Sequence, residues 1–311
     1  MEINCSRSFN NTEKNDSLLD GCQPDENLYQ DIDFLIKICI LNAFLSFTAM
    51  LGNSAILLAI WKTRSLHSAA YILLTSLAVS DLAVGLLIQP FFIALIQSGT
   101  PTIILSFNIL VFFFCCASFF TITAITIDRL LVLQLHLRYH AVVTTSCVTG
   151  VVIFIWIFSG VNTLLPFLSS TIHIVFRVMV ISLLALNSAI YFKIYLIVRR
   201  HQRQIQHQHQ PQRQASNENI VRVRRFKKTA FNTFLVYIVL LCCYLPYGFA
   251  SLYGGISPIL YFTTVTLVFL NSSLNPILYC WRDHEIRTAV KQLFCRWCNR
   301  LPFFQFVTNN W

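Results

Sequence analysis

Seven long apolar segments follow one another along this chain of 311 residues. A helix needs roughly 20 mostly apolar residues to cross a hydrocarbon layer about 30 Å thick, and each of the seven is long enough. The segments are Phe34–Trp61, Tyr71–Gln97, Pro101–Leu135, Ser146–Leu168, Ile172–Val198, Thr229–Leu252 and Ile256–Cys280. The pattern predicts an all-α membrane protein, a seven-transmembrane helix bundle over residues 34–280, with a tail at 1–33 and an amphipathic helix and tail at 281–311.

Composition separates the chain from soluble proteins. Hydrophobic residues make up 56% of it and charged residues 12%, whereas soluble domains are about 45–50% apolar and about 25% charged. These values exclude a soluble enzyme, a disordered tail and a disulfide-rich secreted peptide. Since the sequence also shows no nucleophile–base pair and no metal-ligand cluster, we expect a protein that is not an enzyme and holds no organic cofactor.

Positive charge is distributed unevenly between the two sides of the spans. Only four of the 23 Lys and Arg residues fall on the side of the N-terminal tail, namely Arg7, Lys14, Lys37 and Arg177. Because cytosolic loops are enriched in Lys and Arg, we expect a plasma-membrane protein with an extracellular N-terminus and a cytosolic C-terminus. The net charge of +10 then reflects topology and contact with membrane lipids, and we expect no nucleic-acid binding.

The N-terminal tail has features of an extracellular segment. Three Asn-X-Ser/Thr sequons begin at Asn4, Asn10 and Asn15, which predicts N-glycosylation. Its two cysteines, Cys5 and Cys22, are candidates for a disulfide in that oxidising compartment.

A few polar residues lie inside the spans at compatible depths. Asp81 lies midway through the second span, Ser118 lies in the third, and Asn271 and Asn275 lie four residues apart in the seventh. A carboxylate with neutral oxygens suits a hard cation such as sodium. The alternative is that they only join helices, as Asn and Ser commonly do in membranes.

The segment after the seventh span predicts a helix lying on the inner leaflet. Asp283 is placed to cap that helix. Its apolar face would consist of Ile286, Ala289, Val290, Leu293 and Phe294, as in interfacial amphipathic helices. Cys295 and Cys298 follow and are candidate palmitoylation sites, with free thiols as the alternative.

Seven short motifs occur in a fixed order along the spans. They are Gly52-Asn53, Leu77–Asp81, Asp128-Arg129-Leu130, Leu137-Arg138-Tyr139, Trp156, Cys243–Pro246 and Asn275–Tyr279. Together they resemble the rhodopsin-like (class A) family of G-protein-coupled receptors, over residues 34–295. The resemblance implies a receptor that binds an extracellular ligand and activates a heterotrimeric G protein.

The resemblance also implies roles for residues near the cytosol. Asp128 would hold Arg129 in the resting state, and agonist would swing the sixth span outward about Pro246 so that Arg129 contacts the G protein. Asp81, Ser118, Asn271 and Asn275 would form a sodium site that stabilises the inactive state. The implied coupling and switch residues are Asp128, Arg129, Tyr139, Tyr191, Pro246, Asn275, Pro276 and Tyr279.

Several departures from the family pattern bear on the ligand. Ile104 stands where most members have the cysteine of an extracellular disulfide, and Leu183 stands where the fifth span usually has proline. This combination resembles melanocortin receptors and partly the cannabinoid and lysophospholipid receptors. Val111 stands where amine receptors carry Asp, and the acidic residues of the melanocortin pocket are also missing. A buried cationic ligand would therefore lack a partner carboxylate.

We accordingly predict a lipid-like or small apolar ligand in a mostly apolar cavity. The predicted lining residues are Phe91, Asn108, Val111, Phe112, Cys115, Tyr244, Tyr247, Val265 and Phe269. A peptide or other melanocortin-like agonist is the alternative ligand, and simple helix packing is the alternative role for any one of these side chains.

The cytosolic start of the sixth span carries no acid that could pair with Arg129, since it reads Arg224-Arg225-Phe226-Lys227-Lys228. We therefore expect raised basal activity. Two other classes compete with a signalling receptor. A non-signalling scaffold with the receptor fold is one, and a transporter or channel, which would show repeats or paired broken helices, is the other.

Overall fold

The computed structural model describes residues 26–135, 138–164, 172–207, 237–250 and 257–298, which are helical apart from short turns. Within these ranges, two short helical turns, Arg64–Leu66 and Tyr139–Val142, lie between seven long helices that form the bundle and are followed by an eighth helix. Their bounds are α1 Glu26–Lys62, α2 Ala69–Ser98, α3 Pro101–Leu135, α4 Thr145–Leu164, α5 Ile172–His207, α6 Tyr237–Ala250, α7 Pro258–Arg282 and α8 His284–Cys298. The predicted all-α seven-helix fold is confirmed.

Helices α1 to α5 are each long and apolar enough to cross a membrane. Helix α6 is a shorter apolar helix over its described residues, and α7, with 25 residues, has the length for a crossing although polar side chains interrupt it. Large apolar side chains such as Phe44, Phe154 and Phe192 are more than 60% exposed. Such an apolar surface is stable in a bilayer, because its side chains contact lipid hydrocarbon instead of water.

Two helices extend beyond their predicted spans. Helix α1 begins at Glu26 and α5 continues to His207, whereas the apolar segments run from Phe34 and to Val198. Good helix formers such as Arg and Gln can continue a helix into water once the membrane part has formed it. The sequons at Asn4, Asn10 and Asn15, the Cys5 and Cys22 pair and the basic segment 224–228 lie outside the described residues.

Helix α2 contains a π-helical turn at Val84–Ile88. Gln89 donates its backbone N–H to the Val84 carbonyl, and Pro90 has no N–H, so the Gly85 carbonyl has no donor from its own helix. The Ser46 hydroxyl of α1 donates to that carbonyl at 2.7 Å. The Gly85 carbonyl therefore receives its hydrogen bond from α1 and not from α2.

Helix α7 shows the same arrangement at Pro276. This proline removes the N–H that would otherwise bond the Ser272 carbonyl. The Asn53 Nδ2 of α1 donates to that carbonyl at 3.2 Å, and Gly52, one residue earlier, lets the two helices approach closely at Pro276. Helix α1 thus supplies the missing donor to α2 and to α7, two helices that a proline interrupts.

A cluster of aromatic rings packs the bundle near the N-terminal ends of α3 and α7. Phe92 of α2 lies at its centre, with ring centroids 5.7 Å from Phe107, 5.8 Å from Phe262 and 5.3 Å from Phe269. Offset and edge-to-face contacts of this kind add about 0.5–1.5 kcal/mol each to the burial of apolar area. This cluster holds α2, α3 and α7 together at one end.

The cap predicted for α8 is present. Asp283 Oδ1 accepts hydrogen bonds from the backbone N–H groups of Glu285 and Ile286 at 2.9 and 3.4 Å, and Tyr71 of α2 donates to Asp283 Oδ2 at 3.2 Å. Ile286 is buried against the bundle, as is Ala289, whereas Phe294 is 52% exposed. The exposed end of this face is free to enter a lipid leaflet.

Candidate functional site

A cavity lies between α3, α5, α6 and α7, towards the ends at which α3 and α7 begin, and encloses about 100 Å³. The structure places eight of the nine predicted pocket residues on its wall: Asn108, Val111, Phe112, Cys115, Tyr244, Tyr247, Val265 and Phe269. The sequence did not single out the other lining residues, which are Phe107, Cys116, Phe119, Phe120, Met179, Val180, Leu183, Tyr261 and Val268.

Phe91 is the predicted lining residue that lies elsewhere. It packs, half-buried, against the aromatic cluster around Phe92. The π-helical turn at Val84–Ile88 inserts an extra residue into α2 and rotates the residues after it. The structure does not place Phe91 on the wall of this cavity.

The wall of this cavity is chemically simple. None of its described lining residues is acidic, basic or a histidine. The Asn108 amide and the phenolic oxygens of Tyr244, Tyr247 and Tyr261 belong to the polar side chains that line it. A neutral, largely apolar molecule with a few hydrogen-bonding groups matches such a wall.

Asp81 is fully buried between α2 and α7. Its Oδ1 accepts a hydrogen bond from the Ser272 hydroxyl at 2.8 Å, and its Oδ2 accepts one from Asn275 Nδ2 at 2.7 Å. No basic side chain pairs with it among the described residues. A carboxylate has about four acceptor positions, so both oxygens can still receive a cation.

The predicted sodium ligands are only partly brought together. Asn275 contacts Asp81, but the Ser118 hydroxyl donates to Ser80 at 2.8 Å, and Asn271 lines a separate small cavity. Ser272 was not predicted to contact Asp81. Its position three residues before Asn275, on the same face of α7, is the signal that could have identified it.

The Asp128 carboxylate near the end of α3 is held by two neighbours. Its Oδ2 lies 3.7 Å from Arg129 Nε, and its Oδ1 accepts a 2.5 Å hydrogen bond from the Tyr139 hydroxyl. Burial, followed by this hydrogen bond, raises the pKa of Tyr139 well above its ordinary value, so the phenol stays protonated and donates. The structure therefore joins Asp128 to Tyr139 and leaves Arg129 only loosely held.

Tyr191 and Tyr279, two of the predicted coupling residues, lie close to Arg129 but bond elsewhere. The Tyr191 hydroxyl is 3.2 Å from the Thr126 hydroxyl, and the Tyr279 ring lies 5.7 Å from Arg282 Cζ. No hydrogen bond joins either tyrosine to Arg129 in the described part of the chain. Both tyrosines line the same small cavity as Asn271, Asn275 and Arg282.

Comparison with known proteins agrees with this architecture. The family described as 7 transmembrane receptor (rhodopsin family) matches residues 52–177. Melanocortin receptor 4 of Danio rerio is 28% identical over 277 residues, covering 81% of this chain and 82% of that protein. Adenosine receptor A2a of Cavia porcellus is 26% identical, covering 79% of this chain and 69% of that protein. The human histamine H2 receptor is 28% identical, covering 85% and 81%.

The fold and the site define a seven-helix membrane receptor. Residues 52–177 match the rhodopsin family of seven-transmembrane receptors, and the relatives that cover most of the chain are receptors of this kind. Its apolar helices are those of a multi-pass membrane protein, and the relatives that it matches are receptors rather than enzymes.

Proposed function

We propose that the protein activates a heterotrimeric G protein in response to an extracellular ligand that is lipid-like or a small apolar molecule. The observation that carries the ligand class is the α3–α5–α6–α7 cavity, whose described wall contains no charged side chain. A cation placed there would lose its hydration without gaining a counter-charge.

The relatives are named for chemically different ligands. They include a melanocortin, an adenosine and a histamine receptor at 26–28% identity. Val111 lies on the cavity wall at the position where amine receptors carry Asp, which argues against a histamine-like cation. The match to a melanocortin receptor keeps a peptide agonist as the second candidate.

Filling the cavity is expected to abolish the response to ligand. Val111→Trp would place an indole in a space of about 100 Å³, so a ligand that uses this space should lose binding. The measurement is G-protein dissociation in cells challenged with a panel of lipids, neutral small molecules and melanocortin-type peptides.

The matched control is Val151→Trp, because Val151 is 41% exposed on the outer surface of α4. We expect this variant to respond as the wild type does. A wild-type response to peptides alone would overturn the apolar ligand class. An unchanged response of Val111→Trp to a lipid would show that the ligand binds elsewhere.

We further propose that a sodium ion binds at Asp81 and stabilises the resting arrangement. Asp81 would supply the charge, and the hydroxyl of Ser272 and the amide oxygen of Asn275, whose side chains contact Asp81, would supply neutral donors. Ser118 and Asn271 are the further predicted ligands, and the ion would supply the positive charge that the buried carboxylate lacks. The donor set is all oxygen, as hard cations prefer.

Sodium is therefore expected to lower agonist-independent nucleotide exchange on the G protein when it replaces choline at constant chloride. Asp81→Asn keeps the shape of the side chain but removes the charge, and it should abolish the sodium effect. Asp283→Asn alters a carboxylate outside the bundle core and should keep it. An equal sodium effect in wild type and Asp81→Asn would refute the site.

The remaining assignments concern topology and modification. We propose an extracellular N-terminus and a cytosolic C-terminus, supported by the uneven distribution of Lys and Arg. N-glycosylation at Asn4, Asn10 and Asn15 follows from that orientation. Palmitoylation is proposed at Cys295, which is exposed on α8, and at Cys298, the last residue of that helix.

A further inference from the structure

A second, much smaller cavity of about 10 Å³ lies between α3, α5, α6 and α7, on the side of Asp81 towards Arg282. That space is enough for one water molecule or one small ion. Its polar wall consists of Thr126, Tyr191, Asn271, Asn275, Tyr279 and Arg282. None of these is acidic.

Arg282 places a positive charge on the wall of this cavity, and no acidic side chain pairs with that charge in the described residues. Its guanidinium lies over the Tyr279 ring, but no hydrogen bond or ion pair joins it to any residue that the structure describes. The nearby carboxylates are engaged elsewhere, since Asp283 caps α8 and Asp128 accepts from Tyr139.

Further donors and charge surround the same point. Arg129 lies within electrostatic range of Arg282, so two guanidinium groups share this end of the bundle. Asn271 is 2% exposed, and its Nδ2 has no hydrogen-bond acceptor in the described ranges. Positive charge and N–H donors therefore converge on a space that no carboxylate enters.

We propose that this cavity is a binding site for a small inorganic anion of the size of chloride, held chiefly by Arg282. Charge-assisted hydrogen bonds from a guanidinium are roughly twice as strong as neutral ones, and the anion would offset the repulsion between Arg282 and Arg129. A water molecule could fill the space but would leave both charges uncompensated.

The site is coupled to the position of α6. Leu240 of α6 forms part of the cavity wall together with Ile122 and Ile125 of α3. An outward movement of α6 would open the cavity and release the anion. By linkage, an anion that binds only the closed arrangement stabilises that arrangement.

The test is thermal unfolding of the purified full-length receptor in detergent, in sodium chloride and in sodium gluconate at equal sodium concentration. Chloride should raise the unfolding midpoint of the wild type by about 2–4 °C. Arg282→Gln should abolish this increment and Arg282→Lys should keep part of it. Lys291→Gln, which removes an exposed charge on α8, should keep all of it.

Because the increment is compared within each variant, a lower intrinsic stability of Arg282→Gln does not obscure it. Equal midpoints of the wild type in chloride and gluconate, or an undiminished increment in Arg282→Gln, would overturn the proposal and leave water as the occupant. Wild-type crystals soaked in bromide provide a second measurement. An anomalous peak beside Arg282 is expected, and its absence would also overturn the site.

Discussion

Replacement of Gly52 by alanine is expected to lower the thermal stability of the receptor, and replacement by valine is expected to leave little of it at the cell surface. A Cβ atom on Gly52 would lie 2.7 Å from Cγ and 2.8 Å from Cβ of Pro276. Because the proline ring cannot rotate away, α1 and α7 would have to separate.

The cost of that separation has two parts. Overpacking by a methyl group in a tight interface typically costs about 1–3 kcal/mol. Any shift of α1 also weakens the hydrogen bond from Asn53 to the Ser272 carbonyl, which is 3.2 Å long and is the replacement for the donor that Pro276 removed. An unsatisfied carbonyl costs about a further 1–3 kcal/mol.

Gly150→Ala is the matched control, since a Cβ atom there would meet nothing within 4 Å. We expect it to unfold at the wild-type temperature. Surface labelling of an epitope tag and scanning fluorimetry measure both variants. If Gly52→Ala unfolded at the same temperature as Gly150→Ala, the close approach of α1 and α7 would be wrong.

Replacement of Arg129 by alanine is expected to reduce agonist-free signalling to the level of mock-transfected cells. In the described residues the only carboxylate that reaches Arg129 is Asp128, at 3.7 Å, and Tyr139 shares that carboxylate. The weak hold on Arg129 favours a raised basal signal in the wild type, and removal of the guanidinium should remove the contact proposed for the G protein.

Arg138→Ala removes an exposed charge nine residues further along the chain and should leave the signal unchanged. Receptor amounts are equalised by surface labelling before second-messenger levels are compared. A wild-type signal equal to mock cells would contradict raised basal activity. A signal of Arg129→Ala equal to the wild type would contradict the coupling role and favour a non-signalling scaffold.

The helices were predictable because hydrophobic length is an unambiguous signal. The third span was placed at Pro101–Leu135, where α3 lies. The contact between Asp81 and Asn275 also follows from the sequence, because a lone buried carboxylate needs polar neighbours at its own depth. The cap at Asp283 follows from local chemistry alone.

Other features of the structure have no clear signature in the sequence. A π-helical turn has no distinctive composition, so the rotation that moves Phe91 out of the cavity could not be anticipated. Met179 and Val180 line the cavity from α5, but in a helix that is apolar on several sides hydrophobicity does not show which side faces inward. Ser272 carries a weak signal, because a serine hydroxyl in a helix often bonds a carbonyl of its own helix.

The role of α1 has a consequence for biogenesis. This helix is the first to leave the ribosome, and it carries both Ser46 and Asn53, which complete the hydrogen bonding of α2 and α7. The last membrane helix to be synthesised therefore reaches its final polar partner only by docking beside the first one. The helix bundle is therefore complete only after α7 has been synthesised. In a nascent chain without α7, the Asn53 side chain lacks the Ser272 carbonyl as its partner within the bilayer.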